Sequence, residues 1–152
     1  MSDGQKDAMV NANKVVEDFK FLYQNLNASN INDGLIEQVY RDDIQFKDSF
    51  HELKGMSDFH GYFESVDENV IYSRFEFHEQ LVDEERAMLT WTMNYAHPKL
   101  NNGNNIAVQG ASHICYSDKV YYHQDYIDGG ELLYEHIPVL GWVIQKLKDR
   151  MV

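Results

Sequence analysis

Apolar residues fall at three- and four-residue intervals over the first part of the chain. Between Asp7 and Leu26 they are Val15, Val16, Phe19, Leu22, Tyr23 and Leu26, which share one face of a helix. The run Asn27-Ala-Ser-Asn-Ile-Asn-Asp-Gly breaks the pattern, and Leu35, Ile36, Val39 and Tyr40 restart it as a short second helix. Asp42 and Asp43 should end that helix, because negative charge at a helix C-terminus opposes its dipole. The period then changes to two. Ile44, Phe46 and Asp48 alternate with Gln45, Lys47 and Ser49, the mark of a strand with one buried face. A loop ends at Gly55, and Met56, Phe59, Tyr62, Phe63 and Val66 carry the spacing of a third helix.

The second half reads mostly as strand. Residues 71–83, 86–97, 106–117 and 119–128 are rich in aromatic and β-branched types, and the breaks between them are short enough to make neighbours antiparallel. A last helix over about 131–150 carries Leu132, Leu133, Ile137, Leu140, Val143, Ile144 and Leu147, with Pro138 and Gly141 expected to kink or split it. Helices ahead of an antiparallel meander predict an α+β fold. In it a curved antiparallel sheet forms a cone, and helices pack on its concave face. One domain is expected over 1–152, with a core from about 10 to 134. A cavity between a bent sheet and its helices has apolar walls and a few polar side chains, which suits a small hydrophobic molecule.

Charge narrows the choice of partner. Twenty-five Asp and Glu against 13 Lys and Arg leave a formal charge of −12, which repels phosphate backbones and anionic lipid, so no nucleic-acid partner is expected. The single cysteine, Cys115, cannot close an internal disulfide, and the first residues lack the basic and apolar regions of a signal peptide. A cytoplasmic location is the expectation. Lys146, Lys148 and Arg150 beside Val143, Ile144 and Leu147 make the C-terminal segment amphipathic, but three cations also suit a helix end, so packing on the domain is expected rather than membrane contact.

The order of elements, the segment Tyr40-Arg-Asp-Asp-Ile-Gln-Phe-Lys-Asp-Ser-Phe, Gly55 and the late strand ending His123-Gln-Asp-Tyr-Ile-Asp128 resemble the nuclear-transport-factor-2-like superfamily, and within it the SnoaL-like branch. The resemblance runs from about Val15 to about Leu133 and implies a ketosteroid-isomerase-like (cystatin-like) cone. In ketosteroid isomerases the general base closes an Asp-Asp-x-x-x-x-Asp run, which here is Asp48. Their two oxyanion donors correspond to Leu22 or Tyr23 and to Ser112, where a serine replaces a protonated aspartate. In limonene-epoxide hydrolases an Arg-x-Asp pair and a late aspartate activate water. The pair corresponds to Thr92-Met93-Asn94, so its arginine is missing, and the late aspartate corresponds to Asp125. Polyketide cyclases of the SnoaL type also use a late acid, which keeps Asp125 and then Asp128 in view.

From the resemblance and strand parity together, the expected chemistry is cofactor-free proton transfer, as in an isomerase or cyclase. Asp48 is the base, Asp125 returns the proton, and Asn94, Ser112 or Tyr23 stabilises the enolate oxygen; Phe46, Thr92 and Tyr126 complete the ligand site. Side chains two apart on a strand share a face, so with Thr90, Thr92 and Asn94 turned inward, Leu89, Trp91, Met93 and Tyr95 become an apolar outer stripe. Such a stripe calls for a cover and predicts a homodimer through the outer sheet face. A non-catalytic binding module is the alternative, with a pocket sealed or filled by Phe46, Phe50 and Tyr126. His123 and Asp125 have the spacing of half an iron site, but His51, His60, His78, His97, His113 and His136 form no second motif, so no metal is expected.

Overall fold

A computed structural model describes residues 1–128 and 138–151. Helix α1 (Asp3–Asn25) opens on a capping box, in which the Ser2 hydroxyl accepts from the Gln5 amide and the Gln5 side chain accepts from the Ser2 amide. Its buried stripe is Ala12, Val15, Val16, Phe19 and Leu22, the face expected from the spacing. Then come α2 (Leu35–Val39), β1 (Tyr40–Lys47), a short β2 (Glu52–Lys54) and α3 (Met56–Asn69). The meander β3 (Tyr72–Val82), β4 (Arg86–Ala96), β5 (Ile106–Tyr116) and β6 (Val120–Ile127) completes the sheet, and α4 spans Pro138–Met151.

The six strands form one sheet in the order β2-β1-β6-β5-β4-β3. The β1–β6 pairing is parallel, and the other neighbouring strands are antiparallel. This α+β arrangement, with a curved and unclosed sheet, is the expected cone. Two boundaries differ from the sequence reading. Strand β1 starts at Tyr40, because Arg41 pairs with Asp43 across the exposed edge and relieves the acidic pair. Its ladder with β6 shifts register between Tyr40 and Gln45. The segment before Gly55 folds back as β2, with Phe46 opposite Leu53. Of the expected last helix, Leu132, Leu133 and Ile137 lie outside the described residues; the described part covers Pro138–Met151.

The larger correction concerns the faces of β4. Leu89, Trp91 and Tyr95 are buried, whereas Thr90 is exposed and Thr92 and Asn94 are half-buried. The apolar stripe is therefore the concave lining, packed against the molecule's own core, and Thr92 and Asn94 lie on the convex side. The physical reason is that this is the side α1 and α3 cover: Leu89 joins the core they build with β1, and Trp91, Met93 and Tyr95 line the cavity that Tyr23, Tyr62 and Phe63 close from the helices. The outer face that was to drive a homodimer is instead occupied by Thr90, Thr92 and Asn94, which removes the ground on which that interface was expected.

Candidate active site

The open end of the cone holds a cavity of about 270 Å³. Its walls come from α1 (Tyr23, Leu26), β1 (Phe46), the turn after β1 (Asp48, Phe50, His51), α3 (Tyr62, Phe63, Val66, Asp67) and the sheet (Phe75, Trp91, Met93, Tyr95, Asp125, Ile127). Phe50 and Val66 are 41% and 39% exposed and mark where it meets solvent. Two carboxyl groups widely separated in sequence, Asp48 and Asp125, share this apolar hollow. The cavity is open and reaches both acids, contrary to the sealed pocket of the binding-module expectation, and Phe46 and Phe50 line it without filling it.

Asp48 sits just past the end of β1, and its side chain is 6% exposed. Oδ1 accepts from the amides of Phe50 (2.8 Å) and His51 (2.6 Å), and the Asp48 amide donates to the His51 carbonyl (2.9 Å). An aspartate that bonds main-chain donors two and three residues ahead closes a tight turn. Oδ2 accepts from the Tyr62 hydroxyl at 3.3 Å, with the His51 ring alongside. Burial raises the Tyr62 phenol well above its ordinary value, and the Asp48 and Asp125 charges raise it further, so it stays a neutral donor.

Asp125 is fixed by side chains instead. Oδ1 accepts from the Ser112 hydroxyl (2.5 Å) and lies 2.6 Å from His123 Nε2. Ser112 in turn accepts from the Trp91 indole N–H at 2.9 Å. That indole lies flat against Gly110, where a Cβ would come within 2.4 Å of the ring, so glycine is needed for the close approach. Both hydrogen bonds of Asp125 among the described residues fall on Oδ1, and the residue lines the cavity.

Behind Asp125 the polar groups continue into the core. His123 is 0% exposed; its Nδ1 is 2.8 Å from the Tyr40 hydroxyl, which is 2.8 Å from the Tyr23 hydroxyl. One assignment satisfies every group: Tyr23 donates to Tyr40, Tyr40 to Nδ1, and Nε2–H to Asp125. Burial pushes the Tyr23 hydroxyl far up, with the Tyr40 and Asp125 charges adding to it. Burial does the same to Tyr40, against the opposing hydrogen bond with Tyr23. Both phenols therefore remain donors.

The structure brings together Tyr23, Phe46, Asp48 and Asp125 at the cavity, with Ser112 directly behind Asp125. It does not bring in the other three expected residues. Asn94 accepts from the Asn105 side-chain amide, Thr92 bonds the His78 ring, and Tyr126 is 52% exposed on the convex face. For Asn94 and Thr92 the cause is the reversed parity of β4; Tyr126 neighbours inward-facing Asp125 and so must point outward. Ser112 serves Asp125 rather than a substrate oxygen. Both ring nitrogens of His123 are engaged, and the described residues hold no group of three or more His, Cys, Asp or Glu placed to bind a metal. Sequence reasoning missed Tyr62 as the partner of Asp48, and His123 and Tyr40 as the support of Asp125. The usable signal for His123 was its position two residues before Asp125, on the same strand face.

Residues 20–123, more than half of the chain, match the family model described as SnoaL-like domain. The chain belongs to the SnoaL-like domain family. No curated protein matches it. Several solved structures share the SnoaL-like fold. AclR from Streptomyces galilaeus is 17% identical with a TM-score of 0.66, over 94% of this chain and 92% of that one. An LEH-like epoxide hydrolase of M. tuberculosis is 14% identical with a TM-score of 0.66, over 90% and 97%. A protein with a ketosteroid isomerase-like fold from Catenulispora acidiphila, in complex with trimethylamine, is 11% identical with a TM-score of 0.67, over 78% and 88%. At these identities the likeness is one of fold. No helix among the described residues is long and apolar enough to cross a membrane.

Proposed function

We propose that this SnoaL-like protein binds a small, largely apolar molecule in the cone and moves a proton on it without a cofactor, as an isomerase or cyclase does. The observation that carries this reading is Asp125: a carboxyl in an apolar hollow, anchored through one oxygen by Ser112 and His123. An acid held in that way can take a proton from carbon beside a carbonyl and return it nearby. Tyr62, kept neutral, has one hydroxyl proton, held by Asp48 in the free site at a long 3.3 Å, and turns it to the developing oxygen charge when the substrate is bound. The family supports the reading at the level of fold, and the trimethylamine complex of the Catenulispora protein is one case of a small organic molecule held by a related fold.

The elimination of 5-nitrobenzisoxazole, a neutral carbon acid that reports on a carboxylate base in an apolar site, tests it. The wild-type chain should accelerate the reaction, Asp125→Asn should lose roughly a hundredfold or more of that acceleration, and Asp48→Asn should lose less. Equal rates for wild type and Asp125→Asn would leave the protein a binding module.

A further inference from the structure

We infer that the ligand of this cavity carries a positive charge: a protonated or quaternary amine on a small apolar frame. The inference rests on the proton-transfer reading and names the substrate class for the same site. It starts from an imbalance in the wall. Among the described residues three carboxyl groups line the cavity, Asp48, Asp125 and Asp67, and no lysine or arginine does. The basic partners near the first two are imidazoles: His51 beside Asp48 and His123 beside Asp125. Both hydrogen bonds of Asp125 among the described residues fall on Oδ1. Carboxyl oxygens among apolar walls are stabilised by a cation, and the described wall residues bring neither lysine nor arginine.

The remaining wall suits a cation as well. Trp91, Phe75, Tyr95, Phe46 and Tyr23 present aromatic rings to the hollow. Trp91 and Phe75 meet edge to face, with ring centroids 5.2 Å apart, which leaves two ring systems turned differently toward one space. Aromatic faces attract ammonium groups through their quadrupole and do so most strongly where water is excluded. The Tyr23 and Tyr62 hydroxyls, held neutral by burial and by the nearby acids, add oxygen dipoles without adding positive charge. Outside the cavity, the formal charge of −12 favours approach of a cation and disfavours that of an anion.

The chemistry points the same way. Moving a proton from carbon beside a carbonyl to Asp125 leaves that carboxyl neutral and creates an oxyanion, and the charge would develop near Asp48 with no lysine or arginine among the described wall residues to offset it. A substrate bearing its own ammonium group brings the missing counter-charge. The proton passes from substrate carbon to Asp125 Oδ2 and back to a neighbouring carbon, so no oxidant or further reactant is required. A volume of about 270 Å³ limits the ligand to a compact molecule.

Matched probes test the inference on the full chain. Choline and its uncharged carbon isostere 3,3-dimethylbutan-1-ol have nearly the same shape; benzyltrimethylammonium and benzyl alcohol add an aromatic pair. Binding is read by calorimetry. Each cation should bind at least roughly tenfold more tightly than its neutral partner, and the preference should shrink in high salt. Asp125→Asn should erase most of the preference, and a thermal unfolding transition like that of the wild type reports that the variant is folded. Trp91→Phe should weaken the cations more than the alcohols. Equal affinity within each pair, or a preference that survives Asp125→Asn, overturns the inference. Because 5-nitrobenzisoxazole is neutral, its elimination succeeds or fails independently of this result.

Discussion

Asp125 is held by side chains arriving from β4, β5, β1 and α1, whereas Asp48 is held by the main chain of the next three residues. Both acids reach the same cavity, but their positions have different origins. The turn at Asp48 forms wherever that short segment folds, and Tyr62 is a later addition from α3. Asp125 depends on a chain of groups that meets only when the whole cone closes: Trp91 over Gly110, then Ser112, and His123 backed by two phenols. Evolution could therefore alter the Asp48 wall one residue at a time, while change at the Asp125 wall disturbs the core.

The contrast breaks most visibly at His123. His123→Ala removes a fully buried ring that meets Phe19, Tyr40 and Phe46, and leaves Tyr40 and Asp125 without their shared partner. The expected cost is about 3–5 kcal/mol, seen as a large drop in thermal midpoint. A loss under about 1 kcal/mol would mean that the Asp125 wall is no more integrated than the Asp48 turn. Gly110→Ala comes next. Its methyl collides with the Trp91 indole, and displacing that ring should cost about 1–3 kcal/mol and shift the tryptophan emission.

The Asp48 side should respond locally. Asp48→Ala loses the turn acceptor and should cost about 1–2 kcal/mol, while Asp48→Asn keeps an oxygen for the two amides and should cost less than about 1 kcal/mol. Urea titrations of the two variants separate these outcomes; equal losses would show that the negative charge, rather than the turn, holds the segment.

The smallest effect is the alkaline limb at Tyr62. Its folded-state value lies above the ordinary 10.0, so the stability linked to it is complete below that pH and is lost as pH rises through the folded value. Tyr62→Phe should flatten the fall in thermal midpoint above about pH 10, leaving the part due to the other phenols that burial raises, Tyr23, Tyr40, Tyr95, Tyr116 and Tyr122. An unchanged limb would show that Tyr62 contributes nothing to the alkaline loss.

Much of the fold was legible along the chain. The α1 stripe, the four meander strands and the Asp48 position follow from local periodicity and from a segment that closes its own turn. Asp125, expected in the pocket, lines the cavity, and Ser112 lies buried behind it. The face of β4 was not, because alternation alone leaves the assignment of the two faces open when both contain plausible residues. Which face turns inward is decided by whatever packs against it, and here α1 and α3 cover the side with Trp91.

What the sequence determined by itself is the set of elements, their order and the local clasp around Asp48, since those rest on interactions between residues a few positions apart. Only the tertiary structure decided that Trp91 faces the cavity, that Asn94, Thr92 and Tyr126 do not, and that His123 and Ser112 converge on one oxygen of Asp125. Those outcomes depend on strand pairing between distant segments and on the space left under each side chain, as at Gly110, where the absence of a single carbon lets the indole reach its serine.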